Sequence, residues 1–194
     1  MAGRTRTFDE TDVLEKAANL FWRQGYEATS TEELLSAMGL NKGSLYNTFH
    51  SKKELFIRSM KCFLDSYITS FDQELAASRK PLEVIHNRFI KIATCGDTQA
   101  HENGCFMGNA IAEFANIDPE LEKVAVTATI QLEDLFLKYL EIAKQSGQLK
   151  SKDKPEVLAR YLINLWNGIN ITRRMYPSKN DLLPFVKTSL TVIR

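Results

Sequence analysis

The chain has 194 residues, 44% of them hydrophobic, enough to bury a core in one domain or two small ones. Its formal net charge is only +1, which excludes a broadly basic surface as the source of any nucleic-acid affinity. No apolar run approaches the ~18 residues of a membrane span, and the polar, basic start lacks the apolar segment of a secretion signal, so a cytoplasmic protein without membrane contact is expected.

The apolar spacing is helical almost throughout. A first helix is predicted from about Asp9 to Gln24, with Val13, Ala17 and Phe21 on one face and Gly25 as its stop. A second begins at a capping box, Ser30 with Glu33, and ends at Gly39. A third follows at once, about Lys42 to Phe49, capped by Asn41. Leu45 and Phe49 form its inward face. Ser51 and Glu54 repeat the box and open a long helix to about Ser78. Pro81 opens the next, to about Cys95. Residues 96–103 read as a polar loop, and 104–115 as a buried helix. Asp118-Pro119 starts a helix that stops at Gly147. Pro155 starts another, which ends before Pro177, and the last occupies about Ser178 to Ile193. The expected fold is therefore all-α, about nine helices and no sheet. The boundary falls inside the fourth helix: 1–55 as a helix-turn-helix unit of the kind that binds DNA, 56–194 as a second, helical domain.

Catalysis and metal binding find little support. The cysteines Cys62, Cys95 and Cys105 are odd in number and lack paired spacing, against both a disulfide framework and a structural zinc site. The histidines are only His50, His86 and His101, and there is no glycine-rich phosphate loop. Glu113 and His86 are an acid–base pair that a cavity could bring together, but no spacing demands it. No enzyme, metal or cofactor is expected. A helical module that uses its helix-turn-helix for protein contacts stands as the alternative to a DNA reader.

Several residues at fixed offsets go beyond a generic helix-turn-helix: Leu20-Phe21, Gly25-Tyr26-Glu27-Ala28-Thr29-Ser30, Gly39-Leu40-Asn41-Lys42-Gly43-Ser44-Leu45-Tyr46, Phe49, and Ser51-Lys52-Lys53-Glu54-Leu55. Over residues 8–60 the chain resembles the TetR family of bacterial repressors. Leu35 and Thr31 depart from the residues common at their positions. The remainder resembles the family in helix count and long final helices. The run Gly104-Cys105-Phe106-Met107-Gly108-Asn109 is similar to a subgroup that includes electrophile-sensing repressors.

With Leu45 and Phe49 inward, Lys42, Gly43, Ser44, Tyr46 and Asn47 lie outward. Asn47 suits adenine, Lys42 guanine or phosphate, Ser44 either, and Gly43 permits close approach of the backbone. Tyr46 resembles the family tyrosine that packs on a phosphate or thymine methyl; the alternative is a half-buried core residue. Thr29 and Thr31 beside the second helix, and His50 and Lys52 beside the fourth, are candidate phosphate contacts. Arg4 and Arg6 could enter a minor groove, and Lys53 reads as solvated. Eight basic and eight acidic residues cancel over residues 1–58, so placement must carry the affinity.

The resemblance also implies a ligand cavity behind the DNA-binding unit and a homodimer through the last two helices, which makes 56–194 the effector-binding and dimerisation domain. Cavity candidates are Phe89, Cys105, Met107, Phe136, Tyr139, Trp166, Asn167 and Asn170, suited to a small, largely apolar effector. The stripes Leu158, Tyr161, Leu162, Leu165, Ile169 and Phe185, Val186, Leu190 are the expected partner-facing surfaces. Cys105 stands near a helix start, where the dipole lowers a thiol's pKa. It reads as either a reactive sensor or an inert buried cysteine. The expected function is a ligand-responsive regulator on a palindromic double-stranded operator, repression with activation left open.

Overall fold

The computed structural model describes residues 8–94, 102–176 and 178–194. Arg4, Arg6, Cys95 and His101 lie outside the described residues. Among those described there are nine α-helices and no strand. They are α1 (Glu10–Gln24), α2 (Thr31–Met38), α3 (Lys42–Phe49), α4 (Lys52–Ala77), α5 (Pro81–Thr94), α6 (Phe106–Phe114), α7 (Pro119–Gln145), α8 (Pro155–Thr172) and α9 (Lys179–Ser189). Short 3-10 turns follow α8 and α9, at Arg173–Met175 and Leu190–Ile193. Glu102 and Asn103, expected in a loop, are helical.

The helix starts follow from local chemistry. Asp9 accepts the Thr11 amide at 2.9 Å, while Glu10 and Asp12 place acid in the first turn of α1, where the helix dipole favours it. Both halves of the Ser30–Glu33 capping box form. Gly39 takes the left-handed conformation, φ 66°, so the chain turns sharply and Leu40 returns its amide to Leu35. Asn41 caps Ser44 at 2.8 Å. Asp118 accepts the Glu120 and Leu121 amides at the start of α7, just ahead of Pro119.

Two apolar clusters result. The larger holds the far part of α4 with α5, α7, α8 and α9. The smaller holds α1 to α3 and the start of α4, but it also takes Phe106, Ala110 and Phe114 from α6, and Leu121 and Ala125 from α7. Phe56 is its hub. The ring meets Phe21, Tyr26, Phe106 and Phe114 with centroids 5.1–5.8 Å apart, mostly edge to face. The N-terminal helices are thus packed directly onto α6.

The terminal stripes differ from expectation. Leu158, Leu162, Leu165 and Ile169 are buried in the chain's own core, as are Val186 and Leu190. Only Phe185 of that set is well exposed, at 53%. The outer face of α8 instead carries Val157, Asn164, Gly168 and Ile171. Helical periodicity marks the buried face of a helix, and here that face belongs to the chain itself.

Candidate nucleic-acid interface and effector cavity

α3 presents the residues the sequence singled out. Leu45 and Phe49 are buried, whereas Lys42, Gly43, Asn47 and His50 are exposed and Ser44 is half-buried. Tyr46 is 42% exposed, which removes the core reading of its ring. A Cβ added at Gly43 would meet only Asn41 Oδ1, at 3.4 Å, an ordinary contact. The fold therefore does not require glycine there. His50 closes α3 with φ 63°, a left-handed backbone that is strained for a side chain of its size. Arg58 locks α3 to its neighbours. It pairs with Glu10 of α1, donates to the Thr48 carbonyl at 3.2 Å and lies over the Phe49 ring.

Thr29 must be removed from the phosphate set. It is fully buried, and its hydroxyl donates to the Gly25 carbonyl at 2.5 Å, so it braces the link between α1 and α2. Thr31 is half-buried at the α2 start. Lys52 is half-buried, with its ammonium 4.4 Å from the centre of the Tyr26 ring.

A cavity of about 210 Å³ lies behind this unit. Of the expected lining residues, Cys105, Met107, Trp166 and Asn170 do line it. Phe89 and Phe136 do not: both are fully buried, ring against ring at 5.8 Å, and each packs on Trp166 from behind. Tyr139 is elsewhere too, its hydroxyl donating to the Asp72 carboxylate at 2.8 Å and so tying α7 to α4. Asn167 sits beside Gly108, outside the lining. Phe63 and Tyr67 of α4, Arg88, Lys91 and Ile92 of α5, and Trp22 of α1 complete the wall with Phe106 and Arg173.

Cys105 is the N-cap of α6, and its sulfur accepts from Gly108 N and Trp166 Nε1, each at 3.4 Å. Burial nevertheless pushes its thiol pKa up. The dipole effect expected from sequence is outweighed, and the resting group is a thiol. Glu113 and His86 do not meet. Glu113 faces the α1–α2 link, and His86 is held beside the C-terminal turn, where burial lowers its pKa.

Three contacts join the reading unit to the helices behind it, the first of them at the cavity wall. Trp22 Nε1 of α1 donates to the Gly104 carbonyl at 3.2 Å, and the same oxygen accepts from buried Arg173. The Glu113 carboxylate of α6 accepts the backbone amides of Tyr26 at 3.0 Å and Glu27 at 2.9 Å. Lys53, expected to be solvated, pairs with Asp118 at 2.9 Å and Glu120 at 2.7 Å, tying the start of α4 to the start of α7. The Lys53 ammonium lowers the Asp118 pKa, and the Glu120 and Asp118 carboxylates raise that of Lys53.

The match to known proteins covers both halves. Residues 13–58 fit the profile of the bacterial regulatory proteins of the tetR family, and residues 79–187 that of the tetracyclin repressor-like C-terminal domain. The HTH-type transcriptional regulator YezE of Bacillus subtilis (strain 168), itself uncharacterised, is 31% identical over 98% of this chain and 99% of its own. The chain belongs to the TetR family of bacterial transcriptional regulators. The HTH-type transcriptional repressor ComR of Escherichia coli (strain K12) is 27% identical over 97% of this chain and 90% of its own. A solved structure of the TetR-family regulator CifR, a cysteine mutant with double-stranded operator DNA, superposes with a TM-score of 0.84. It covers 98% of this chain and 100% of that one at 22% identity, a likeness of fold.

As a TetR-family regulator the chain is a DNA-binding protein of a non-enzymatic class. No helix among its described residues is long and apolar enough to cross a membrane, and none of those residues forms a group of His, Cys, Asp or Glu fit to hold a metal ion. Sequence reasoning missed Trp22, Tyr67 and Arg88 as cavity residues. Trp22 lies 82 residues from its partner Gly104, in a helix assigned wholly to the DNA-binding unit.

Proposed function

We propose that this regulator is a homodimeric repressor that leaves a palindromic operator when a small molecule fills its cavity. Residues 1–55 read DNA, and residues 56–194 bind the effector and the second copy. The observation that carries the reading is the position of Trp22: one side chain is part of helix α1 of the reading unit and part of the cavity wall. A ligand there presses on the DNA-binding helices without an intermediary. Cytoplasmic placement follows from a role on DNA.

On the operator, Asn47, Lys42 and Ser44 contact base edges, Gly43 allows close approach, and Tyr46 packs on a phosphate or thymine methyl. Thr31, His50 and Lys52 hold phosphates. The exposed face of α8, with Gly168 open to close approach, meets its counterpart beside Phe185 of α9. Two-fold symmetry then sets the two α3 helices about one DNA turn, ~34 Å, apart. The name of ComR as a repressor favours repression over activation. Occupancy shifts the balance between dimer geometries, and only one spacing fits DNA. Cys105 enters as a cavity wall, since its buried thiol is not poised as a thiolate.

The test is selection of bound fragments from genomic DNA, followed by footprinting. A protected palindrome, released by a cavity ligand, is the expected result. Binding that shows no sequence preference above the non-specific background would overturn the reading.

A further inference from the structure

The chain has two tryptophans, and both wall the same chamber. Trp22 and Trp166 are joined by Phe63, Tyr67 and Phe106, and the volume of about 210 Å³ suits one substituted aromatic ring. The charged groups are of one sign: Arg88, Lys91 and Arg173 are cationic, and no acidic residue lines the cavity among the described residues. Asn170 adds a neutral amide. Arg88 and Lys91 stand three apart on α5 and so share one edge of the chamber. Arg88 shares its charge with Glu74 on its outer side, whereas Lys91, at the exposed rim, makes no ion pair among the described residues.

Tyr67 supplies the second observation. Its hydroxyl is buried, the Arg88 guanidinium beside it can only donate, and its own O–H has no acceptor among the described residues. A buried donor left unpaired is costly, and the cost is recovered when a ligand oxygen accepts from it. Burial also raises the pKa of Tyr67, so the group keeps its proton and remains a donor at neutral pH. Arg88 lies 5.6 Å over the Tyr67 ring, which places this donor beside the cationic edge.

We propose that the cavity takes a small aromatic anion: a single-ring carboxylate or phenolate, its ring against the indoles and its charged oxygen between Tyr67 and the α5 edge. This rests on reading the cavity as the effector site. The donor set rewards charge, because hydrogen bonds from a cation to an anionic oxygen are about twice as strong as neutral ones. A neutral aromatic of the same shape fills the walls and forfeits that gain.

Tryptophan emission reports on the site, since both indoles face it. The probes are benzoate, 4-hydroxybenzoate and phenylacetate, each titrated against its neutral amide. The expected result is that the anions quench with at least about tenfold tighter affinity than their amides. Tyr67→Phe and Lys91→Gln should each weaken the anions by about three- to tenfold and leave the amides in place. Amides that bind as well as the anions, no quenching by any anion, or variants that weaken both classes alike would overturn the assignment. A gel shift of the unliganded protein on its selected operator separates this from the functional reading. Selective operator binding with no preference for anions defeats the ligand class alone. A preference for anions in a protein without sequence-selective DNA binding defeats the regulator reading and leaves the ligand class standing.

Discussion

The Glu113 carboxylate receives the backbone amide of Tyr26 at 3.0 Å across 87 residues of chain, and holds the neighbouring amide of Glu27 with its other oxygen. An acid on α6 thereby satisfies two donors that the α1–α2 link leaves open, next to Gly25, whose φ of 86° bends the chain toward it. The helix capped by cavity residue Cys105 and the link that positions the reading unit are thereby joined directly.

Glu113→Ala should cost about 1–2 kcal/mol, the lower range for hydrogen bonds to a charged acceptor that is not fully buried. That lowers the melting temperature by about 2–8 °C in a chain of this size. The larger effect is on signalling. Operator affinity should fall only modestly, while the ligand's effect on it shrinks. Calorimetry with and without effector, paired with operator titrations, checks both. Glu113→Ala with wild-type ligand release would show that the clamp is structural only. Glu113→Gln keeps one acceptor and should fall between.

On the DNA side, Asn47→Ala should cost about 1–3 kcal/mol on the selected operator and relax discrimination at one base position. Lys42→Ala is expected to weaken base and backbone binding together and to reduce the salt slope by about one for each phosphate it no longer neutralises. Thr29→Val is the control: a buried brace that removes stability but no operator contact. Anisotropy titrations over operator variants and salt concentrations distinguish the three.

How far the sequence could lead is clear from particular residues. Helix starts were legible because a cap is local: Ser30 and Glu33, Ser51 and Glu54, and Asp118 with Pro119 lie within four residues of one another. The outward face of α3 was legible because Leu45 and Phe49 fix its rotation. The cavity was not, because its wall is assembled across the chain, and periodicity says which face is buried without saying against what. Phe89, Phe136 and Trp166 have the same apolar character in sequence. Only packing separates the wall from the layer behind it. Tyr26 and Glu113 carry no mutual signal, since a backbone amide has no side-chain identity.

The surface proposed to face the second copy repeats the point with a measurable outcome. Val157 and Ile171, 53% and 62% exposed, flank Asn164 and Gly168 on one face of α8. A Cβ at Gly168 meets nothing within 4 Å inside the chain, so Gly168→Arg leaves the fold intact and blocks close approach of a second copy. The variant should sediment as a monomer with normal helix content and lose cooperative operator binding. Leu162→Ala, in the stripe that packs the chain's own core, should destabilise the fold by about 2–5 kcal/mol without selectively breaking the dimer.

The Lys53–Asp118 link has a defined pH window. Asp118 has a folded pKa below its unfolded value, so its contribution is present above the unfolded value and disappears as pH falls through the folded one. Lys53 has a raised folded pKa, so its contribution is complete below the unfolded value and lost only as pH rises through the raised one. Between these limits the link is constant. Asp118→Asn keeps an N-cap for α7 and removes the charge, leaving Lys53 with Glu120. The difference in melting temperature between wild type and this variant should be flat across the neutral range and vanish in acid. A difference that peaks near pH 6 would point to another group.

Cys105 offers the sharpest contrast between the two readings of one residue. Its sulfur is buried, accepts two hydrogen bonds and carries a thiol whose pKa burial has raised. Cys62 is only half-buried. In a Cys95→Ser background, limited alkylation with iodoacetamide at pH 7 should therefore label Cys62 first, and Cys105 slowly. Because Cys105 lines the cavity, a bound aromatic should slow its labelling further and leave Cys62 unchanged. Peptide mass spectrometry reads both sites in one experiment. Labelling of Cys105 faster than a free thiol of ordinary pKa would mean that the cavity stabilises a thiolate, and electrophile capture would replace reversible binding as the trigger.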